Sequence, residues 1–198
     1  MLPIGNYSYE IRFNGELVAF EDTRCDAAMI VAARRSANGL SHHQVEAALD
    51  SEQRIYRVTL SYSSSLFTRK ANYEAAEDNL RGHIVGLAGR NEIVIKLGRF
   101  REIDAAGFLV FRALIIAHVR LRGEQHWTGR VAVIDSSTLA ATSVKQNCAS
   151  RHGSDRSWTY EPRMGDSEQI ELDEAGRIVH QRDNRGITAD LIAAGAGC

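Results

Sequence analysis

The sequence predicts a mixed α/β (α+β) fold, in which one domain has a mixed sheet of about five to seven strands with helices packed on it. Three observations indicate this class. Strand-like segments and segments of helical period follow one another along the chain, 198 residues are enough for one sizeable core, and no shift in composition divides them. We therefore expect a single α/β domain over residues 1–198.

Strands are predicted where apolar and polar residues alternate. Residues 7–21 alternate around Asn14-Gly15, the strongest short signal for a β-hairpin. Residues 169–181 indicate a second hairpin. The remaining predicted strands cover residues 54–63, 92–97 and 130–135.

Helices are predicted where apolar residues recur at helical spacing. Thr23 and Ser41 each precede such a run and resemble N-terminal caps. The clearest amphipathic spacing lies between Tyr73 and Leu87. The predicted helices cover, approximately, residues 23–38, 41–49, 73–87, 104–121 and 138–148.

Two segments have no regular period. Residues 149–168 are polar and contain glycine, which predicts a long surface loop. Residues 187–198 predict a frayed tail. The longest apolar stretch, residues 105–119, is interrupted by Arg112 and His118 and is expected to be a core element, with His118 as a hydrogen-bonded core residue.

Composition limits the classes of partner. The net charge of -1 gives no overall positive field that would attract nucleic acid or a membrane, so any site for a polyanion must be local. Cys25, Cys148 and Cys198 are too widely spaced for a disulfide framework or a zinc site. The sequence shows no signal peptide and no apolar membrane span. We expect a cytoplasmic protein.

The turn at residues 98–101 is the first candidate site. Gly98 permits a tight turn after the predicted strand. Arg99 and Arg101 are two residues apart, so in extended chain both guanidinium groups project to one side. With the free N–H groups of the helix that follows, they would bind a phosphate. The alternative is a strand–turn–helix corner with solvated charges.

Two acids lie beside this turn. Glu102 and Asp104 are near the predicted helix start, where carboxylates are favoured by the helix dipole but would repel a phosphate. A Mg²⁺ ion would reconcile the two, because it binds carboxylates and phosphates together. Glu102 and Asp104 are therefore candidate metal ligands, by proximity only.

Gly98-Arg99-Phe100-Arg101 resembles the G-x-x-R motif of the ParB/sulfiredoxin superfamily, and the chain resembles its plasmid-encoded fertility-inhibition (oncogenic-suppression) branch, typified by Osa. The resemblance implies a ParB/sulfiredoxin-like fold that binds and hydrolyses ATP. It implies nuclease action on DNA and a block on DNA transfer through a conjugative secretion system, a component of which would be a partner. Arg99 replaces sulfiredoxin's cysteine, which excludes that enzyme's own chemistry.

The hypothesis assigns roles to individual residues, of which the resemblance itself carries over only Gly98 and Arg101, for phosphate binding; Arg99 is added from its spacing and the two acids from proximity. Gly98, Arg99 and Arg101 would bind the nucleotide. Arg101, Glu102 and Asp104 would be catalytic, with the two acids holding the possible Mg²⁺ ion.

A second resemblance competes with the first. Residues 93–123 are similar to a STAS domain, in which a strand leads to Asp-Ser-x-Gly and a helix. Residues 104–107 read Asp-Ala-Ala-Gly, so alanine occupies the place of the phosphorylated serine. This resemblance implies a protein-interaction module that is not an enzyme. The two alternatives differ at residues 113–119, which are a strand in the first and a helix in the second.

The segment 149–168 is the candidate nucleic-acid site. It interleaves Arg151, Arg156 and Arg163 with Trp158 and Tyr160. Arginines neutralise phosphates and aromatic rings stack on unpaired bases, so this pattern favours DNA as a partner. The alternative is that Trp158 anchors the loop to the core.

Overall fold

A computed structural model of the chain describes residues 2–86, 89–105 and 107–195. These residues contain fifteen β-strands and one α-helix. In chain order the strands are β1 (Gly5–Phe13), β2 (Glu16–Cys25), β3 (Met29–Ser36), β4 (Ser41–Leu49), β5 (Ile55–Ser64), β6 (Thr68–Ala76), β7 (Asn79–Gly86), β8 (Gly89–Lys96), β9 (Ile103–Ala105), β10 (His126–Ile134), β11 (Ala141–Ser150), β12 (Ser157–Glu161), β13 (Glu168–Leu172), β14 (Ile178–Asp183) and β15 (Ile187–Gly195). The helix α1 (Leu109–Leu121) lies between β9 and β10.

All these strands belong to one sheet, in which two series meet at β1 and β15. Strands β1 to β8 follow one another toward one edge, and β15 back to β9 follow one another toward the other edge. Every neighbouring pair is antiparallel except β9 and β10, which are parallel and are connected through α1. Strand β8 comes close to β11, so the sheet curls into a barrel-like shape.

Helix α1 lies inside the curled sheet. Every residue from Leu109 to Val119 is buried, and a helix that is buried on all its sides must be enclosed. Phe108 precedes the helix without a side-chain cap. Instead, the backbone N–H of Leu109 donates to Oε1 of Glu21 at 3.0 Å. Because Glu21 belongs to β2, the sheet itself caps the first turn and fixes where the helix begins.

The second half of the helix is held by His118. Its Nδ1 lies 3.0 Å from Oε2 of Glu102, and its Nε2 lies 3.1 Å from the backbone oxygen of Gln53. His118 is buried. The expectation of a hydrogen-bonded core histidine is therefore confirmed.

The predicted fold class is wrong. The described chain is mostly sheet, with fifteen strands and a helix of 13 residues, rather than five to seven strands with several packed helices. Helix α1 overlaps the helix predicted over 104–121, but begins later. The segments 23–38, 41–49, 73–87 and 138–148 form strands and turns instead of helices, with Leu87 outside the described residues.

Turns explain part of this error. Oδ1 of Asp26 accepts hydrogen bonds from the backbone N–H groups of Ala28 and Met29 at 2.9 and 2.8 Å, which closes the turn between β2 and β3. Asp135 makes similar bonds in the turn before β11. Short polar side chains make the same bonds in turns as in helix caps, so a capping pattern does not distinguish the two.

Both predicted hairpins are confirmed. Asn14 and Gly15 join β1 to β2, and both have positive φ, 49° and 88°, as a two-residue hairpin turn requires. Strands β13 and β14 form the second hairpin. The other three predicted strands coincide approximately with β5, β8 and β10.

Parts of the predicted loop and of the predicted tail belong to the sheet. Strand β12 lies within residues 149–168 and pairs with β11 and β13. Strand β15 pairs with β1 on one side and with β14 on the other, so it joins the two series of strands. Residues 196–198 of the predicted tail lie outside the described residues.

Residues 113–119 are helical, as part of α1. The strand that the ParB/sulfiredoxin resemblance required there is therefore wrong. A helix is what the STAS resemblance implied, but that resemblance covers residues 93–123 only and does not account for the sheet around them. Across the described ranges, no helix has the length and apolar character needed to cross a membrane.

Candidate ligand-binding site

A cavity of about 350 Å³ lies at the N-terminal end of α1, and we call it the α1 cavity. Its wall contains side chains of the helix together with side chains from both series of strands. Leu109, Val133 and Ala189 supply apolar surface, whereas Arg112 and Glu168 supply charge. The volume is at the lower end of the range for small-molecule sites.

Arg112 and Glu168 form a buried ion pair in this wall. Nε of Arg112, on the first turn of α1, lies 2.9 Å from Oε2 of Glu168, the first residue of β13. Neither atom has an aligned hydrogen bond among the described residues. Burial raises the pKa of Glu168 to about 7, an effect that Arg112 opposes and Asp104 increases. A carboxyl group that titrates near neutral pH can donate or accept a proton there.

Asp104 is an unpaired acid in the same wall. It lies on β9 opposite Val133 of β10, and only 1% of the residue is exposed. Its Oδ1 has no hydrogen-bond partner among the described residues, and none of their basic nitrogens lies within 4.0 Å of the carboxylate. Burial raises the pKa of Asp104, although Arg112 and the amide of Gln146 oppose the shift.

The other buried acids in the described ranges have basic partners within 4.0 Å. These pairs are Glu21 with Arg34, Glu102 with His118, Glu168 with Arg112 and Asp183 with Arg185. A buried charge without a counter-ion costs several kcal/mol, whereas a paired and hydrogen-bonded one costs much less. Asp104 is therefore the acid whose burial the described protein compensates least.

The chain enters the helix beside the ion pair of Glu21 and Arg34. The guanidinium carbon of Arg34 lies 5.2 Å from the centre of the Phe108 ring. Gly107 has φ +96°, and a Cβ there would lie 2.6 Å from Nη1 of Arg34. The positive φ is the stronger reason for glycine at this position, because the end of the Arg34 side chain could shift.

Two further polar residues of the wall are fixed by the protein. Asp183 accepts hydrogen bonds from the backbone N–H groups of Arg185 and Ile187 and from Nε of Arg185, at 2.9, 2.7 and 3.0 Å. The amide oxygen of Gln146 accepts a hydrogen bond from the hydroxyl of Tyr160. These side chains shape the cavity, and their hydrogen bonds are used within the protein.

The predicted nucleotide turn lies elsewhere. The N–H of Arg101 donates to the oxygen of Gly98 at 2.9 Å. Nη2 of Arg101 donates to the backbone oxygen of Ala75 at 3.2 Å, whereas the guanidinium of Arg99 lies 5.5 Å from the centre of the Phe100 ring. The two arginines therefore make separate contacts within the protein.

Packing accounts for the glycine of this turn. A Cβ at Gly98 would lie 2.4 Å from the backbone oxygen of Arg130. We expect Gly98→Ala to lower the free energy of unfolding by about 1–3 kcal/mol, because the two backbone segments must move apart. Urea unfolding measures the change. In the control Gly195→Ala the nearest atom is 3.8 Å away, and equal losses in the two variants would contradict this explanation.

Glu102 and Asp104 do not share a site. Glu102 is bound to His118 near the far end of α1, while Asp104 lines the α1 cavity at the near end. Within the described residues, no group of three or more His, Cys, Asp or Glu side chains is placed to hold a metal ion. The structure therefore does not bring the two predicted Mg²⁺ ligands to one position.

The predicted nucleic-acid residues are also dispersed. Trp158 and Tyr160 are buried in the core, so their rings are not available to stack on bases. Arg151 and Arg156 lie 3.8 and 2.7 Å from glutamates of β13 and of the turn that follows it. Arg163 is exposed and lines the α1 cavity. These five side chains do not form one surface.

Sequence reasoning missed Arg112 and Glu168 as site residues. One signal was available, because an arginine inside the longest apolar stretch must find a partner once that stretch is buried. Nothing local marks Glu168, which reaches Arg112 only through the pairing of β13 in the sheet. Asp104 was selected as an acid near a helix start, as a metal ligand beside the 98–101 turn, and the structure places it in the wall of the α1 cavity instead.

Comparison with known proteins adds information on the fold. No family model matches the sequence, and no curated protein matches it. The fold resembles that of a DUF1089 family protein. That protein is from Pseudomonas aeruginosa, and its crystal structure matches with a TM-score of 0.63 and 18% sequence identity over 82% of this chain and 88% of that chain. At this identity the likeness shows the fold alone.

The ParB/sulfiredoxin resemblance is therefore wrong, as is the resemblance to its fertility-inhibition branch. Nothing in the comparisons points to that superfamily or to Osa. The sheet-rich, barrel-like fold also differs from the one that the resemblance implied. The motif at residues 98–101 is a tight turn whose glycine is explained by the nearby backbone of β10.

Proposed function

We propose that this protein binds a small polar molecule in the α1 cavity, between Asp104 and Arg112. The observation that carries the proposal is the carboxylate of Asp104, which is buried in the cavity wall with an oxygen that has no partner among the described residues. Folding alone favours a neutral side chain at such a place. Residues that cost stability are typical of sites kept for function.

The side chains in the wall of the α1 cavity also limit the kind of ligand that can bind. Carboxylate, guanidinium and amide groups surround the cavity, so a ligand must form directed hydrogen bonds. The apolar side chains of Leu109, Val133 and Ala189 provide contact area for a short hydrocarbon part. A volume of about 350 Å³ admits a small molecule and excludes a folded macromolecule.

A ligand-observed NMR screen of small polar compounds tests the proposal. We expect compounds that bind the wild-type protein to bind Asp104→Asn at least about tenfold more weakly, because a hydrogen bond to a charged group is lost. Asp22→Asn is the matched control, since Asp22 is an exposed aspartate of β2 outside the cavity. Binding that both variants retain, or a complete lack of binding, would refute the proposal.

Acid–base catalysis in the same cavity is a second candidate function. It is favoured by Glu168, whose pKa is raised to about 7 while Asp104 adds a second carboxyl group to the same wall. Such a pair can divide the roles of acid and base. The NMR screen distinguishes the two candidates, because a compound that is converted changes its spectrum with time and one that is only bound does not.

The functions implied by the earlier resemblances remain predictions. ATP hydrolysis, DNA cleavage and a block on conjugative transfer are not tested by any observation above, nor are the ATP and Mg²⁺ cofactors. The same holds for a STAS-like interaction role, for DNA or secretion-system partners and for a cytoplasmic location. Arg99 and Arg101 make separate contacts within the protein. We therefore place the proposed binding site in the α1 cavity and not at the 98–101 turn.

A further inference from the structure

Among the buried acids in the wall of the α1 cavity, Asp104 is the one without an ion-pair partner in the described protein. Glu168 lies 2.9 Å from Arg112, and Asp183 lies 3.0 Å from Arg185. The pair formed between β2 and β3 beside the helix start is likewise balanced. Asp104 has no such partner within 4.0 Å among the described residues. Because unpaired buried charge is unfavourable, the site as a whole favours a positive charge from outside.

No cation of the described protein occupies this position. Arg112 and Arg163 are the arginines whose charge opposes the pKa shift of Asp104, yet neither forms an ion pair with it within 4.0 Å. Arg112 contacts Glu168, and Arg163 is exposed. Arg112, whose charge opposes the pKa shift of Asp104 most strongly, therefore already has Glu168 as its ion-pair partner.

We infer that the ligand of the α1 cavity carries one positive charge on nitrogen, as a small ammonium or amidinium ion, and that this group pairs with Asp104. The inference rests on the proposed binding function. Such a group supplies a positive charge and an N–H donor for Oδ1 of Asp104, the oxygen without a partner, and charge-assisted hydrogen bonds of this kind are the strong ones. The hydrocarbon part of the ligand contacts Leu109, Val133 and Ala189.

The other classes of ligand fit the wall less well. A metal ion needs several ligands, and the described residues offer no group of three or more that could hold one. An anion would meet the unpaired Asp104, whereas Arg34, Arg112 and Arg185 of the wall each already face a carboxylate and Arg163 is exposed. Arg112 does not exclude a cation, because its own charge is paired with Glu168 at 2.9 Å.

Four probes that share one ring and differ in the polar group test the inference: benzylamine, benzamidine, benzyl alcohol and benzoate. Calorimetric or NMR titration of the full chain measures their affinities. We expect the two cations to bind about tenfold to a hundredfold more tightly than the alcohol, which is the usual effect of a hydrogen bond to a charged partner. Asp104→Asn should remove this difference, and Asp22→Asn should preserve it.

The outcomes separate this inference from the binding function. Benzyl alcohol or benzoate could bind as tightly as benzylamine and lose that binding in Asp104→Asn. In that case the inferred positive charge of the ligand is wrong, although the cavity still binds a ligand. Benzylamine binding that survives Asp104→Asn also overturns the inference. If no probe and no compound of the screen binds, the proposed function fails as well. The carboxyl ¹³C resonance of Asp104 in the wild type gives an independent readout, which should shift with benzylamine and not with the alcohol.

Discussion

Replacement of Arg112 by methionine is expected to lower the free energy of unfolding by about 3–5 kcal/mol at pH 8, the usual cost of removing one partner of a buried ion pair. Glu168 would stay buried without the positive charge that lies 2.9 Å away, and Asp104 would lose the arginine that opposes its pKa shift. Methionine retains much of the side-chain volume, so the loss reports charge more than packing. Urea unfolding followed by the fluorescence of the buried Trp158 measures it.

The loss in Arg112→Met should become smaller at pH 5. The folded-state pKa of Glu168 is already raised to about 7, above its value in the unfolded chain, and Arg112 acts to lower it. Without Arg112 the pKa rises further. The carboxyl group of the folded variant is then protonated at pH 5 and no longer charged, so the variant gains stability relative to the wild type as the pH falls from 8 to 5.

Arg156→Met is the matched control for this prediction. Arg156 lies 2.7 Å from Glu174, but both side chains are largely exposed. Surface pairs contribute at most about 1 kcal/mol, and we expect no more than that loss at either pH. Two results would contradict the prediction. One is a similar loss of unfolding free energy in both arginine variants, and the other is a loss in Arg112→Met that does not change with pH. Either result would show that the pair of Arg112 and Glu168 does not behave as a buried ion pair.

The sequence predicted the fold only where a local signal is sufficient. The Asn14-Gly15 hairpin was recognised because those residues tolerate the positive φ that the turn needs. The turn at residues 77–78 was missed, since Glu77 adopts φ 51° without glycine or asparagine to mark it. Apolar residues of β6 and β7, read as one segment across that turn, imitate helical spacing. One unmarked turn therefore converted a hairpin into a predicted helix.

The site was less predictable than the fold, for a related reason. Asp104 and Arg112 are close in sequence. Asp104 was selected as an acid beside the 98–101 turn, and Arg112 was noted because it interrupts an apolar stretch. Glu168 reaches Arg112, and Glu21 reaches the backbone N–H of Leu109, only through the pairing of strands that are far away along the chain. No local pattern encodes such pairing. The order of strands in a sheet of fifteen is a global property, and the sequence reasoning assumed a sheet of half that size or less.

Asp104→Asn is expected to raise the free energy of unfolding by about 1–3 kcal/mol at pH 8, because it removes the desolvation cost of a poorly compensated carboxylate. Burial raises the folded-state pKa of Asp104, so the carboxylate costs stability as the pH rises through that value. The gain in the asparagine variant should therefore be larger at pH 8 than at pH 3.8, the ordinary pKa of an aspartate. Thermal and urea unfolding at both pH values measure it.

Asp183→Asn is the matched control for the prediction on Asp104→Asn. Asp183 is a buried aspartate of the same cavity wall, but it accepts hydrogen bonds from two backbone N–H groups and from Arg185. The same chemical change there should lower the free energy of unfolding by about 1–3 kcal/mol, because those donors lose a charged partner. If both variants are destabilised, Asp104 is a structural acid and the binding proposal loses its main support. If Asp104→Asn is more stable and no longer binds ligand, the carboxylate is kept for binding at the expense of stability.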